Sequence, residues 1–265
     1  MRYSNFHTHT TFCDGKNTAE EMVRAAISAG CPALGFSGHS YLDFDDSFCM
    51  SRENTRLYRV EIARLRALYA ENIEILCGLE QDVCSPPPDA AYDYLIGAVH
   101  CLFVDGEYFS VDYTAEEQQR AVREGFGGDW YAFAAAYYEE MATVYARTGC
   151  HLVAHFDLVT KFNENGRFFD ENDRRYRHAA LAALEEVAKT PVALEINTGA
   201  IRRGYRTGPY PAPFILAELA RRDLPVLLSA DAHDVGGITF GFNEAEALAR
   251  QYSLTVLPHI AAIGK

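Results

Sequence analysis

Two histidines two residues apart close the first apolar run of the chain, in Asn5-Phe6-His7-Thr8-His9. Side chains alternate across a strand, so His7 and His9 face the same way. Two neutral imidazoles aimed at one point make a transition-metal site. A matching pair, Asp231 and His233, follows another apolar strand near the other end, in Ser229-Ala230-Asp231-Ala232-His233. Between these pairs, His39, Glu80, His100 and His155 each close an apolar run of their own. Taken singly, each has a plain explanation. A histidine at a strand end is usually hydrogen-bonded or exposed, Glu80 could be a surface carboxylate, and Asp14 in Asp14-Gly15-Lys16 reads as a turn residue. Taken jointly, six of the nine histidines end strands, with Glu80 and Asp231 beside them, and a shared metal centre explains them together. His151 begins its strand and points to the opposite end, His178 lies in a helix and His259 near the tail, so these three read as structural. Cys13 reads as a small buried apolar residue rather than a ligand.

The elements that carry these residues alternate between strand and helix. Residues 3–7 read as a strand, and residues 19–29 as a helix with a Thr18/Glu21 capping box and a Gly30 stop. A strand over 32–36 leads to His39. Residues 52–70 have helical periodicity through Leu57, Val60, Ile62, Leu65 and Leu68. The strand over 73–79 ends at Glu80, Pro86-Pro87-Pro88 forces a loop, and the strand over 94–99 ends at His100. Helices follow near 114–123 and 129–147, separated by Gly125-Phe126-Gly127-Gly128 and stopped by Gly149. A short strand over 152–154 ends at His155. Then come a helix over 171–189, a strand over 192–196, a helix over 211–222, a strand over 225–228, a helix over 241–252 and a terminal strand or loop over 253–257. Seven strand-then-helix units build a parallel sheet, and about 250 residues of them close into a barrel. Barrel enzymes place their chemistry at the carboxyl ends of the strands, which is where the polar residues above fall.

Composition narrows the classes. The 265 residues fit one domain, 1–265, with no internal repeat, low-complexity tract or linker. A formal charge of −13 without a Lys/Arg run disfavours a nucleic-acid partner. The first residues lead straight into the histidine pair rather than into a leader peptide, and no apolar stretch is long enough to span a membrane. Seven scattered cysteines without a C-x-x-C pair fit a reducing cytoplasm. There is no G-x-S-x-G and no phosphate-binding P-loop to compete with metal chemistry. The oligomeric state is not legible.

The segments Phe6-His7-Thr8-His9-Thr10-Thr11-Phe12-Cys13-Asp14-Gly15, Ser37-Gly38-His39, Gly78-Leu79-Glu80, Gly97-Ala98-Val99-His100, Ala154-His155-Phe156-Asp157 and Ser229-Ala230-Asp231-Ala232-His233 resemble, in order and over nearly the whole chain, the PHP (polymerase and histidinol phosphatase) superfamily. Glu195-Ile196-Asn197-Thr198-Gly199, Tyr210-Pro211-Ala212-Pro213 and Gly127-Gly128-Asp129 resemble its histidinol-phosphatase-type branch. The resemblance implies a distorted (β/α)7 TIM-like barrel holding two to three divalent ions. His7, His9, Glu80 and Asp231 would hold the first, with Glu80 bridging to a second held by His100 and His155. His39, His233 and Asp14 would hold a third, although many members carry histidine where this chain has Asp14. Glu80, Asp231 and His233 are the catalytic side chains so implied. The donor set suits Zn, Fe or Mn.

Such ions lower the pKa of bound water towards about 7 and clamp the oxygens of an in-line phosphoryl displacement. The expected activity is hydrolysis of a small phosphorylated substrate, with L-histidinol phosphate first and another phosphomonoester or a nucleotide second. A polymerase-associated module without catalysis is the third alternative. The phosphate needs a cationic holder, and Arg202, Arg203 and Lys161 lie beyond strand ends on the same side, with Arg202 favoured.

Overall fold

A computed structural model describes residues 3–264. The elements run α1 (Ala19–Ser28), β1 (Ala33–Phe36), α2 (Arg52–Leu68), β2 (Glu74–Asp82), β3 (Tyr94–Ala98), β4 (Cys101–Val104), β5 (Glu107–Ser110), α3 (Ala115–Gly125) and α4 (Trp130–Ala142). They continue with α5 (Val144–Thr148), β6 (Leu152–Val153), α6 (Arg174–Val187), β7 (Ala193–Asn197), α7 (Gly199–Arg202), α8 (Pro213–Arg221), β8 (Val226–Ser229) and α9 (Phe242–Gln251). Six strands form one parallel sheet in the order β1-β2-β3-β6-β7-β8. The segment around residues 5–9 makes single parallel bridges to both edges, Asn5 to Leu34 and Thr8 to Ala232. Its hydrogen bonds, His9 N–H to the Ala232 carbonyl at 2.8 Å and Gly35 N–H to the Asn5 carbonyl at 2.8 Å, join β1 to the end of β8. The seventh strand is thus a seam rather than a full ladder, and it carries His7 and His9.

Strand parity divides the core into two layers. Leu34, Phe36, Val153, Leu194, Ile196, Val226 and Leu228 join the helices in the large outer cluster. Ala33, Tyr94, Ile96, Ala98, Leu152, Ala193 and Leu227, of the opposite parity, meet Phe6 in a small inner cluster. Following that inner parity towards the carboxyl ends leads from Ile96 and Ala98 to His100, from Ala193 to Glu195 and Asn197, and from Leu227 to Ser229 and Asp231. The same alternation that packs the inner core therefore lifts polar residues into one mouth. Tyr94 fills the narrow interior, and its hydroxyl reaches the carbonyls of Phe6 at 2.6 Å and Phe36 at 2.9 Å. Gly35 and Gly78 make room for it, because a Cβ at either would strike the Tyr94 side chain.

The Thr18/Glu21 capping box forms in both directions at α1. α2 occupies the expected residues, but its buried face is Thr55, Tyr58, Ile62 and Leu65. Leu57, Val60 and Leu68, expected to share that face, are exposed; Tyr58 completes the i, i+4, i+7 stripe with Ile62 and Leu65 in their place. The expected 129–147 helix is two, α4 and α5, with Gly149 closing α5 at φ 65°. The β4–β5 hairpin was not expected from sequence. Its turn, Asp105-Gly106 with φ 51° and 90°, is the Asp-Gly pair that two-residue hairpins favour.

Candidate metal centre

Glu80, at the end of β2, is the hub of the mouth and is buried. Its Oε2 lies 3.3 Å from His7 Nε2, 3.5 Å from His9 Nε2 and 2.9 Å from His39 Nδ1. Its Oε1 lies 3.1 Å from His155 Nε2 and 3.5 Å from His100 Nε2. Asp231 Oδ1 approaches His7 Nε2 at 3.6 Å, His9 Nε2 at 3.3 Å and His233 Nδ1 at 3.4 Å. Asp14 sits at the rim, with Oδ2 3.1 Å from His233 Nε2 and Oδ1 3.6 Å from His39 Nε2 and 3.7 Å from His9 Nδ1. All nine side chains expected as ligands, His7, His9, Asp14, His39, Glu80, His100, His155, Asp231 and His233, converge. They form overlapping groups whose donor atoms lie within 4.8 Å of one another.

The electrostatics are those of a cluster too crowded to stand alone. Burial works to raise the Glu80 carboxyl, but His7, His39, His100 and His155 overrule it and hold it well below its usual range. Burial works to lower His7, yet Glu195, Glu80 and Asp231 raise it well above an ordinary imidazole. His9 goes the other way, pushed down to about 3 by burial and by the imidazoles of His233 and His39. Among the described residues, His7 Nε2, His9 Nε2 and Glu80 Oε2 are buried without a well-aligned hydrogen bond although they face one another. An orphaned buried polar atom costs about 1–3 kcal/mol. Three of them aimed at one point are what a shared cation would satisfy, so the donor set fits the metal reading.

The backbone is bent to the same end. Asp231 adopts φ 47°, a left-handed conformation uncommon outside glycine and costing of order 1–3 kcal/mol. Gly199 lies against it, and a Cβ there would come within 2.9 Å of Asp231 Cβ.

Two supporting carboxylates escaped the sequence reading. Glu195 accepts from His7 Nδ1 at 2.6 Å and from the His155 N–H at 3.2 Å. Asp82 accepts from the His100 N–H at 2.7 Å and lies 3.1 Å from His100 Nδ1. Carboxylates in this position fix the tautomer and orientation of a ligand imidazole. The available signal was a charge inside an apolar strand, Ala193-Leu194-Glu195-Ile196, since buried carboxylates are rare unless paired.

A cavity of about 260 Å³ opens over the cluster, with Phe48, Asp112, Tyr113, Lys161, Arg203 and Tyr205 among its walls. Of the three cations expected to hold phosphate, Arg203 and Lys161 line it. Arg203 donates to Asp231 Oδ2 at 2.9 Å and to the Asp231 carbonyl at 3.2 Å, and lies 3.0 Å from His233 Nδ1. Lys161 is held by the Asp112 carboxylate at 2.9 Å and its carbonyl at 2.7 Å. Arg202, the favoured candidate, is turned away. It donates to Asp234 at 2.9 Å, lies over the Phe240 ring and is absent from the cavity wall. The two arginines are successive residues on the turn of α7, so about 100° of helical rotation separates them. His151 accepts from the Leu95 N–H at 3.1 Å, His178 is exposed on α6, and His259 packs on Phe6, all away from the cluster. Cys13 Sγ lies 3.5 Å from His9 Nδ1 without joining a donor group.

A parallel barrel with imidazole and carboxylate donors massed at its carboxyl mouth defines a barrel whose mouth fits metal binding. The PHP domain model matches residues 5–199, and the chain belongs to the PHP domain family. The "Probable histidinol-phosphatase" of Deinococcus radiodurans is 30% identical over 251 residues, covering 90% of this chain and 89% of that protein. The histidinol-phosphatase of Bacillus subtilis strain 168 is 26% identical over 265 residues, covering 91% and 97%. Among solved structures, the hisK protein of Listeria monocytogenes superposes with a TM-score of 0.77 at 21% identity, covering 91% of this chain and 99% of that one. The histidinol phosphate phosphatase of Lactococcus lactis, solved with zinc, L-histidinol and phosphate, gives 0.63 at 21% identity, covering 97% and 95%. Both share the fold.

Proposed function

We propose that the chain hydrolyses L-histidinol phosphate to L-histidinol and phosphate, a phosphomonoesterase reaction of histidine synthesis. The observation that carries this is the convergence of nine donor side chains beneath a cavity that also presents Arg203 and Lys161. The two relatives that match along nearly their whole length bear the name of that activity. The chain acts as one PHP domain, residues 1–265, in the cytoplasm; among the described residues no helix is long and apolar enough to cross a membrane.

Two to three divalent transition ions occupy the mouth in this reading, zinc first, with iron and manganese compatible with the same donors. His7, His9, Glu80 and Asp231 would hold one, Glu80, His100 and His155 a second, and Asp14, His39 and His233 a third. Bound there, such ions would supply Lewis acidity and the activation of water at neutral pH. Turnover depends on Glu80, Asp231 and His233 because they tie the three groups together. Glu195 and Asp82 keep His7 and His100 aimed inward. Arg203, already fixed by Asp231, offers its fork to the phosphate oxygens, and Lys161 adds a second charge. Asp112 then faces the leaving group, which in L-histidinol phosphate carries an ammonium.

The test is a panel of phosphomonoesters and nucleotides assayed for phosphate release with metal-loaded protein. L-Histidinol phosphate should exceed every other member in kcat/KM by at least about tenfold, the discrimination that 1.36 kcal/mol provides. Preference for a nucleotide or another monoester would refute the substrate assignment.

A further inference from the structure

Behind His100, beside the nine-donor cluster and sharing its supporting carboxylate Asp82, the side chains of Asp82, Cys84 and Cys101 bring a carboxylate oxygen and two sulfurs within 4.8 Å of one another. None of the roles above uses either thiol. Cys101 is buried and Cys84 half-buried. Cys84 Sγ lies 3.6 Å from the Cys101 carbonyl, and the Cys84 N–H donates to Asp82 Oδ1 at 2.6 Å. Asp82 Oδ2 is the oxygen that holds His100. The site has an entrance: Cys101 lines a groove of about 470 Å³ between the loop carrying Phe44 and Phe48 and the β4–β5 hairpin.

We propose that Asp82, Cys84 and Cys101 form an additional cation site, adjoining the first through Asp82, for a thiophilic d10 ion such as zinc in excess, cadmium or copper(I). Two thiolates select soft cations over magnesium or calcium, and the adjacent carboxylate adds charge that favours a cation. A three-donor set with one open position accepts a tetrahedral ion completed by water. Binding displaces the two thiol protons to solvent and forms two metal–sulfur bonds, with no change of oxidation state. It also draws on Asp82, so the ion loosens the carboxylate that orients His100 and lowers turnover. The site stands without the phosphatase reading; only its effect on turnover rests on that reading.

The experiment titrates cadmium into protein carrying its own metal complement. It follows the ultraviolet thiolate-to-cadmium charge-transfer band and counts cadmium retained after desalting. Wild type and Cys13→Ser, whose thiol neighbours His9, should both show the band saturating at one tightly held equivalent. Cys84→Ser and Cys101→Ser should each lose at least half of the band and at least tenfold in affinity. In wild-type protein, cadmium should also protect Cys84 and Cys101 from alkylation mapped by mass spectrometry, which needs no variant to fold. L-Histidinol phosphate turnover should fall several-fold at one equivalent in wild type and be spared in Cys84→Ser. A band that keeps its full intensity in both cysteine variants, or no protection of Cys84 and Cys101, overturns the site. A band with protection but no phosphatase activity in any protein leaves the site standing and removes the functional reading instead.

Discussion

Replacing Glu195 tests whether the centre depends on a residue that holds no metal. Both oxygens of Glu195 are occupied, one by His7 Nδ1 at 2.6 Å and the other by the His155 N–H at 3.2 Å and Asn197 Nδ2 at 2.8 Å. His7 and Glu195 side chains are both 0% exposed. Glu195→Gln keeps an acceptor towards His7 but removes the charge. A hydrogen bond to a charged group is worth about 1.5–3 kcal/mol and a neutral one about 0.5–1.5. The difference, about 1–1.5 kcal/mol, is roughly tenfold in affinity. Glu195→Ala removes the acceptor altogether and strands His7 Nδ1 and the His155 N–H in a dry interior. Its cost should reach the upper end of the 10–100-fold range typical of outer-shell partners. The assay is competition with a chelator, with bound metal counted by elemental analysis. At saturating metal kcat should recover to within a few-fold, because Glu195 lines no part of the substrate cavity. Metal held by Glu195→Ala as tightly as by wild type would refute the reasoning, and the ion pair would then serve folding alone.

Four further outcomes are expected. Arg203→Ala should lower kcat/KM by roughly 10–100-fold, the value of one charge-assisted contact, whereas Arg202→Ala, which only frees Asp234, should stay within about twofold; steady-state kinetics showing the reverse would move the phosphate to Arg202. Gly199→Ala should cut metal retention and turnover together, because its Cβ would press on Asp231 at 2.9 Å; unchanged metal content would show that the loop gives way freely. Asp231→Asn should abolish turnover with the thermal midpoint little changed, since Asn tolerates the φ of 47° there; activity near wild type would remove Asp231 from the centre. Asp14→Ala should release one metal equivalent by elemental analysis while the others remain, and an unchanged count would place the third ion, if any, on other donors.

The barrel and the convergence of the nine donors were legible because both are periodic. Strand ends recur along the whole chain, and a polar residue that closes an apolar run announces itself. What the sequence concealed is what depends on rotation or on distance along the chain. The stripe of α2 was misread because Leu57, Val60 and Leu68 are apolar yet exposed, while Tyr58 and Thr55 complete the buried face. Arg202 and Arg203 are adjacent letters, and only the turn of α7 decides which faces the cavity. Glu195 is 188 residues from His7, and no local pattern links a carboxylate to the imidazole it steadies. The Asp105-Gly106 hairpin is the exception, since its signal was local and in plain view.

Charge around the cavity makes metal binding and phosphate binding one question. Among the described residues, six carboxylates, Asp14, Glu80, Asp82, Asp112, Glu195 and Asp231, meet two fixed cations, Lys161 and Arg203. Counted with the histidines neutral, as they are when they ligate, the carboxylates exceed these two cations by four. Two divalent ions bring the site to neutrality. A third leaves it positive by two, the charge that matches the dianion. An ion bound at Asp14, His39 and His233 would therefore govern affinity for phosphate more than it would govern the fold. Inorganic phosphate binding, followed by calorimetry against metal equivalents, should be weak at two equivalents. From two to three it should tighten at least tenfold, since one added charge at about 4 Å is worth several kcal/mol at an effective dielectric near 20. Affinity that does not change between two and three equivalents would show that Arg203 and Lys161 hold the phosphate by themselves.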